Sequence, residues 1–590
     1  MRDVIVVGAG GGGPVVAKEL AAQGLDVLLL EAGPRHADPR REWTHFEQDA
    51  NNPLTGFLRF GPTDRTKPAW FRELPQNSWV MQLSGVGGTT QHYFANCPRA
   101  FPGVFNDYQG ADAGNYDRAH QFPFGYHELV PYYEWVEHTL PVQTAAMGTK
   151  EQTMFSGCEA LGMRVQTTKT TTGPSYRPQE NAILQPEGTA GRTRDRDLLV
   201  HPQAKGCTFC GHCLQGCMEP VRAPRNLFAK RSTDNSYVPM ALTADSWSRG
   251  RAVTLITDAF VNEVHTERRG GELVASGVTW RDNGSGATFR EDARVVVLAG
   301  GCTETPRLWL NSGLPNPNDW VGRGYTDHFF DWVVGTFTKD VGNTRGPTSA
   351  ARIDIPGSGA MENAGLTPAL QAFSMMLSDS GIRGQYTNGR GMTGPWDGPA
   401  GRPAGPELKD ILGNGADNLL NMVVITDDDV EAQNRITLSA LPGDANGPVP
   451  KVQFHQRNRS ARTVRNRERL VRTAVEVLRA AGARRVYRVD WASLILHAQS
   501  SMRMGESQLD SVLDSDAEAR WVKRLFIADN SALPNCLGGP NPTLTTQALA
   551  TRTAEKIYQR YFDGQPWVAN GSPVVSTDPR VSARLAALGL

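Results

Sequence analysis

The stretch VIVVGAGGGGPVVAKELAAQGLDVLLLEAG, residues 4–33, decides how the chain begins to fold. Residues 4–7 are a short apolar run of buried-strand type, 14–22 carry helical spacing, and 27–30 form a second apolar run. Between the first strand and the helix lies G-x-G-x-x-G, made by Gly8, Gly10 and Gly13. In that arrangement the first glycine permits a tight turn, the second lets main chain approach a pyrophosphate, and the third packs helix on strand. The helix N-terminus adds N–H donors and positive potential. Glu31 closes the second strand, where an acid can hold ribose hydroxyls. A glycine-rich turn between ordinary elements needs none of this context. Strand, triplet, helix, strand and acid together point to a dinucleotide, without separating FAD from NAD.

The theme returns twice. ARVVVLAGGCTETPRLWLNSG (293–313) reads as strand, turn and helix, and LFIADNSALPNCLGGPNPTLTTQALATRTAEKI (525–557) repeats it less strictly. Pieces so far apart predict a discontinuous nucleotide domain with a second domain inserted between them. At 590 residues the chain is also too long for one core. Residues 335–429 look irregular, rich in Gly, Pro and Asn with Met375, Met376, Tyr386 and Trp396 among them, and suggest lids or binding surfaces. Residues 435–438, 452–454 and 485–489 predict strands, and 461–481 an amphipathic helix. Beyond about residue 564 little pattern remains.

Lys plus Arg balance Asp plus Glu at 61 each, which leaves no electrostatic footprint for nucleic acid or an anionic membrane. No run of about eighteen apolar residues appears, so no membrane span is expected. The N-terminus lacks signal-peptide character, giving a cytoplasmic default, with export alongside a partner subunit left open.

Of the eight cysteines, Cys207, Cys210, Cys213 and Cys217 form C-x2-C-x2-C-x3-C, with Gly206, Gly211 and Gly216 interleaved. This is the ferredoxin spacing, except that Met218 stands where proline usually follows, and it makes the four candidate ligands of an iron-sulfur cluster. Zinc and plain buried thiols are the competing readings. His212 reads as a solvent-facing loop residue, and Cys97, Cys158, Cys302 and Cys536 as small buried residues.

Several blocks in fixed order resemble the glucose-methanol-choline (GMC) oxidoreductase family: the opening fingerprint, GVGGTTQHYFANCPR (85–99), residues 299–313, VGRGYTDH (321–328), HAQSSMRMG (497–505) and IADNSALPNCLGGPNPTLTTQALA (527–550). FPFGYHELVPYYEWVEHTL (122–140) and the cysteine run resemble, within it, bacterial sugar dehydrogenase large subunits that carry an iron-sulfur cluster. The resemblance implies an α/β fold, with a discontinuous Rossmann-like FAD-binding domain and a substrate domain on a mainly antiparallel sheet with helices. The division expected is FAD binding in 1–40, 81–100, 201–335 (with the cysteine loop) and 520–565. Residues 41–80 would connect, 101–200 would supply substrate-domain and lid segments, 336–519 the substrate domain, and 566–590 a tail.

FAD is the cofactor implied, with Gly85, Gly87, Gly88 and Thr89 along the flavin, Asp529 near the ribityl or pyrophosphate, and Pro542 and Thr543 beside the cofactor. His92 matches a position where some relatives join a histidine covalently to the flavin and others only pack one there. Oxidising an alcohol needs a base for the hydroxyl proton, and neutral imidazole suits working pH. His497 matches the family's flavin-facing histidine, and Asn541 its partner, able to donate to the substrate oxygen. Leu496 departs from sugar-oxidising relatives, which often carry a polar residue there.

The expected activity is therefore removal of hydride from a CH–OH group of a sugar, glycoside or other alcohol. Electrons would leave through the cluster to an acceptor protein or small partner subunit. The alternatives are an oxidase of the same fold that makes hydrogen peroxide, and a flavin or electron-transfer subunit without alcohol activity.

Overall fold

Strand Arg2–Val7 runs parallel to Val27–Leu30 on one side and to the end of Thr288–Leu298 on the other. Thr254–Ile256 extends this sheet beyond Val27–Leu30, and Leu525–Ile527 pairs in parallel with residues 296–298. All four residues of the run at 4–7 are buried, as an unbroken Val/Ile strand covered on both faces requires. The first part of Thr288–Leu298 instead pairs antiparallel with Glu272–Asp282, which pairs with Ala259–Arg269. One long strand thus belongs to both the parallel sheet and an antiparallel extension. Helix Gly13–Ala22 packs beside helix Thr543–Tyr561, which also carries Tyr126–Thr139.

The computed structural model describes residues 1–38, 41, 57–60, 66–75, 78–191, 193–377, 393–398, 403, 405–454, 459–489 and 493–590. Among them no helix is long and apolar enough to cross a membrane.

A second sheet is antiparallel throughout, in the order Arg485–Arg488, Asp331–Thr336, Leu419–Thr426, Gly359–Asn363, Ala351–Ile355, Ser175–Pro178. Helix Ala461–Ala480 covers one face, against Val333, Leu420, Met422 and Val424. Its start is fixed by Ser460, whose side chain accepts from the Thr463 N–H. The alternate residues Trp332, Val334, Val423 and Ile425 turn to the other face. Period-two alternation with apolar residues in both sets means burial on both sides. The α/β architecture expected from the sequence, a discontinuous nucleotide sheet and a mainly antiparallel substrate sheet, is the one observed.

Three local expectations need correction. Strand Asp331–Thr336 lies in the second sheet although the expected division placed residues up to 335 with the FAD-binding portion; its register with Leu419–Thr426 decides this. Residues 335–429 are not one irregular stretch, since three of the six sheet strands and the helices Pro368–Leu377 and Gly405–Gly413 fall there. The turn residues that obscured them, such as Gly357 at φ +76°, join short strands into a hairpin. Within that stretch Met375 is buried and Trp396 sits under the Arg488 guanidinium at 4.9 Å, whereas Tyr386 and the Met376 side chain lie outside the described residues. Finally, the tail carries helix Pro579–Leu588, capped by Asp578 and anchored by buried Val581 and Leu585.

Candidate active site

The two sheets meet across a cavity of about 320 Å³, lined by Gly8, Gly10, Gly12 and Glu31 from the first and by Trp332 and Glu362 from the second, with His497 and Asn541 also in its wall. Within the fingerprint, Gly8 turns at φ +105°, and a Cβ there would lie 2.3 Å from the Ala299 carbonyl oxygen. At Gly10 a Cβ would meet nothing within 4 Å, so its main chain is open to an approaching ligand. Gly13 packs helix on strand, because a Cβ would stand 1.9 Å from the Gly8 oxygen. Gly12, not singled out in the sequence, is as tight: its Cβ would lie 1.7 Å from the Ala528 oxygen.

Glu31 lines the cavity with its carboxylate accepting the N–H groups of Ala9 (2.7 Å) and Gly33 (2.8 Å). Burial pushes its pKa up and these N–H groups pull it back. An open glycine main chain, a helix N-terminus and a buried acid at the second strand's end suit the polar parts of a dinucleotide.

Gly85, Gly88, Thr89 and His92 line the same cavity; Gly87 is not among its lining residues. Gly87 instead turns at φ +99°, where a Cβ would press the Asp234 side chain at 2.8 Å. At Gly88 a Cβ would come 2.8 Å from the Gly10 Cα, so this glycine lets two main chains touch. His92 is buried, and burial together with the Lys230 ammonium pushes its pKa down to about 3. Lys230 itself is satisfied by three carbonyl oxygens, of Gln91 (2.6 Å), Tyr93 (3.0 Å) and Cys213 (2.6 Å).

Asp529 reaches the cavity wall, yet its carboxylate is occupied as a double cap. It accepts the Gly301 N–H (2.9 Å) and Thr305 hydroxyl (2.7 Å) at the start of helix Gly301–Asn311, and the Ser531 N–H (2.7 Å) beside it. Pro542 and Thr543 line the cavity at the start of helix Thr543–Tyr561, which brings a second helix N-terminus to it.

The arrangement around His497 defines its protonation. His328 Nδ1 and His497 Nδ1 are 2.8 Å apart, and His328 Nε2 lies 3.1 Å from the Cys536 carbonyl oxygen. A carbonyl only accepts, so His328 carries its proton on Nε2. Burial pushes the His328 pKa down to about 4, so its Nδ1 is bare and must accept from His497 Nδ1–H. Burial and the neighbouring His328 hold His497 neutral as well, which leaves its Nε2 as a lone pair. The backbone is pinned by Asp327, which accepts from His497 N–H (2.8 Å) and Leu496 N–H (3.1 Å).

What joins His497 to Asn541 is the cavity both line. Asn541 Nδ2 stands 3.4 Å from Glu362, a buried carboxylate that also accepts from Asn96 (2.6 Å) and Arg352 (2.9 Å). Burial holds the Glu362 pKa above the usual range. His328, Glu362, Asn96 and Lys230 had no role assigned from the sequence. His328 closes the quoted block 321–328 and Asn96 lies within the quoted block 85–99, so both offered a signal; Glu362 and Lys230 sit in unremarkable local context.

The cysteine run lies in a loop beside the cavity. Gly206, Gly211 and Gly216 do take left-handed φ of 73°, 77° and 90°, folding the segment into tight turns. Cys207 and Cys213 are buried, while Cys210 and Cys217 are partly exposed. Cys217 Sγ accepts the Lys230 N–H at 3.5 Å and donates to the Glu219 carbonyl at 3.7 Å. Among the described residues no three His, Cys, Asp or Glu side chains converge where a metal ion could be held. Burial first, and then the neighbouring Cys213, Cys210 and Cys217, push the Cys207 thiol pKa up, so the four cysteines of the run lie near one another. Leu214, between Cys213 and Cys217, contributes to the cavity wall.

Profiles described as GMC oxidoreductase match residues 194–330 and 430–550, and one described as lycopene cyclase protein matches 3–60, the opening nucleotide-binding segment. The chain is 26% identical over 588 residues to 2-methyl-1,2-propanediol dehydrogenase of Mycolicibacterium austroafricanum, covering 95% of this chain and 96% of that one. It is 24% identical over 607 residues to the fructose dehydrogenase large subunit of Gluconobacter japonicus, covering 94% and 97%. The fold is similar to that of the solved pyridoxine 4-oxidase from "Mesorbium loti", with a TM-score of 0.57 at 15% identity over 96% and 100% of the chains. The chain belongs to the GMC oxidoreductase family and is an enzyme acting on CH–OH donors, with FAD the cofactor the family implies.

Proposed function

We propose that the chain oxidises an alcohol, with His497 accepting the hydroxyl proton at Nε2 and Asn541 donating to the substrate oxygen. One observation carries this reading: the two-histidine chain ending on the Cys536 carbonyl leaves a single bare imidazole nitrogen on a residue that lines the cavity. Bound FAD supplies the acceptor for the hydride. Gly8, Gly10 and Gly13, with Glu31 and the helix N-terminus at Thr543, would hold that cofactor. His92, neutral and buried, would pack against it or be joined to it. Yellow colour that stays with the polypeptide after denaturation would indicate the covalent bond.

His497→Ala tests the assignment: anaerobic reduction of bound FAD by alcohols should slow by about 10²- to 10⁴-fold with FAD content unchanged. Undiminished reduction would remove His497 as base and favour a subunit that only transfers electrons.

Electron exit has a second reading. The C-x2-C-x2-C-x3-C spacing favours a cluster and a protein acceptor, whereas among the described residues no three His, Cys, Asp or Glu side chains stand where they could hold a metal ion. Iron and acid-labile sulfide measured on anaerobically purified protein decide the cluster. Peroxide formed with substrate under air decides between oxidase and dehydrogenase.

A further inference from the structure

We infer that the substrate is an alcohol whose hydroxyl is the single polar end of an apolar body, such as a medium-chain primary alkanol, and not a sugar. This rests on the alcohol oxidation proposed above. Strand alternation in the second sheet turns Trp332, Val423 and Ile425 away from helix Ala461–Ala480 and into the cavity wall. Leu366, Leu370 and Leu496 line the cavity from neighbouring segments. Phe373, 39% exposed on helix Pro368–Leu377, lines it too and carries the apolar surface out to solvent.

The polar groups on this flank are few and grouped. Glu362, Asn96 and Asn541 are linked by hydrogen bonds of 2.6 and 3.4 Å, and His497 is the base. A single hydroxyl finds its partners among them. The further hydroxyls of a sugar would lose water against leucine, valine and tryptophan, which return no hydrogen bond. An alkyl body loses nothing there and gains contact along its length. Leu496, adjoining the base, is therefore a specificity determinant and not a casual departure.

The test uses the FAD-loaded enzyme and primary n-alkanols from ethanol to octanol, with D-fructose, D-glucose and methyl glucoside alongside. Flavin bleaching is followed anaerobically, and thermal shift is measured in parallel with the matching alkyl methyl ethers, which cannot be oxidised at a hydroxyl. Bleaching efficiency, kcat/KM, should rise about fourfold per added methylene until the cavity is filled. Every sugar should fall at least about a hundredfold below the best alkanol. Ethers should raise Tm progressively with chain length, and methyl glucoside should not. Leu370→Gln, on the half-exposed helix, should flatten the chain-length dependence.

A sugar that bleaches the flavin better than every alkanol overturns the inference and leaves the proposed function standing. Flavin that no alcohol or sugar reduces, together with ether-induced stabilisation, overturns the function while upholding the apolar wall. No stabilisation by any ether overturns the inference.

Discussion

Replacing His328 by phenylalanine removes the acceptor that fixes the His497 tautomer without adding charge or much volume. The lost contact is a 2.8 Å hydrogen bond between the buried His328 ring and the half-buried His497 ring, so His497 Nδ1–H would face an apolar ring. Stranding a buried donor costs about 1–3 kcal/mol. The imidazole can avoid that cost by moving its proton to Nε2, which abolishes the base. On either route kcat/KM should fall about tenfold to a hundredfold. Because His328 is the second cause of the depressed His497 pKa, after burial, its removal should also move the acid limb of kcat/KM to higher pH. A residue that merely filled space would leave that limb in place. His328→Asn, whose side-chain oxygen can accept where Nδ1 did, should restore activity to within a few-fold of wild type. The assay is anaerobic flavin reduction across pH, normalised to bound FAD. His328→Phe with full FAD, wild-type kcat/KM and an unmoved limb would refute the tautomer argument.

Two further outcomes follow from the same geometry. In the wild type, a general base works deprotonated, and burial holds the His497 pKa well below 6.5; kcat/KM should therefore stay level as pH falls through 6.5 and decline only well below it, read from initial rates at fixed ionic strength. The fingerprint glycines should separate: Gly12→Ala places a Cβ 1.7 Å from a main-chain oxygen and should lower the Tm of the apoprotein by overpacking worth about 1–3 kcal/mol or more. Gly10→Ala meets no protein atom within 4 Å and should leave that Tm unchanged while weakening FAD retention, measured by the A450/A280 ratio and by thermal shift.

Local pattern was legible wherever one segment carries its own structural rule. Residues 4–33 make a strand, a glycine turn, a helix and a second strand legible because the apolar runs, the helical spacing and the glycine triplet are all local patterns. The amphipathic pattern over residues 461–481 likewise predicts helix Ala461–Ala480 almost to the residue. His497 and Asn541 were legible as candidates through blocks in family order.

Only the tertiary structure decided what these pieces do to one another. Gly12 was unreadable in advance because its constraint is the Ala528 oxygen, which is hundreds of residues away in the chain. The same holds for the His497 tautomer, which depends on His328 and on the Cys536 carbonyl, and for Glu362, buried between Asn96, Arg352 and Asn541. The cysteine run is a mixed case: its glycines set the tight turns at Gly206, Gly211 and Gly216 locally, but the surroundings of its thiols, such as the Lys230 N–H on Cys217 Sγ, come from segments further along the chain. Sequence determines elements through local sterics and periodicity; cavities, tautomers and convergent side chains arise from contacts between distant segments and exist only once those elements have packed.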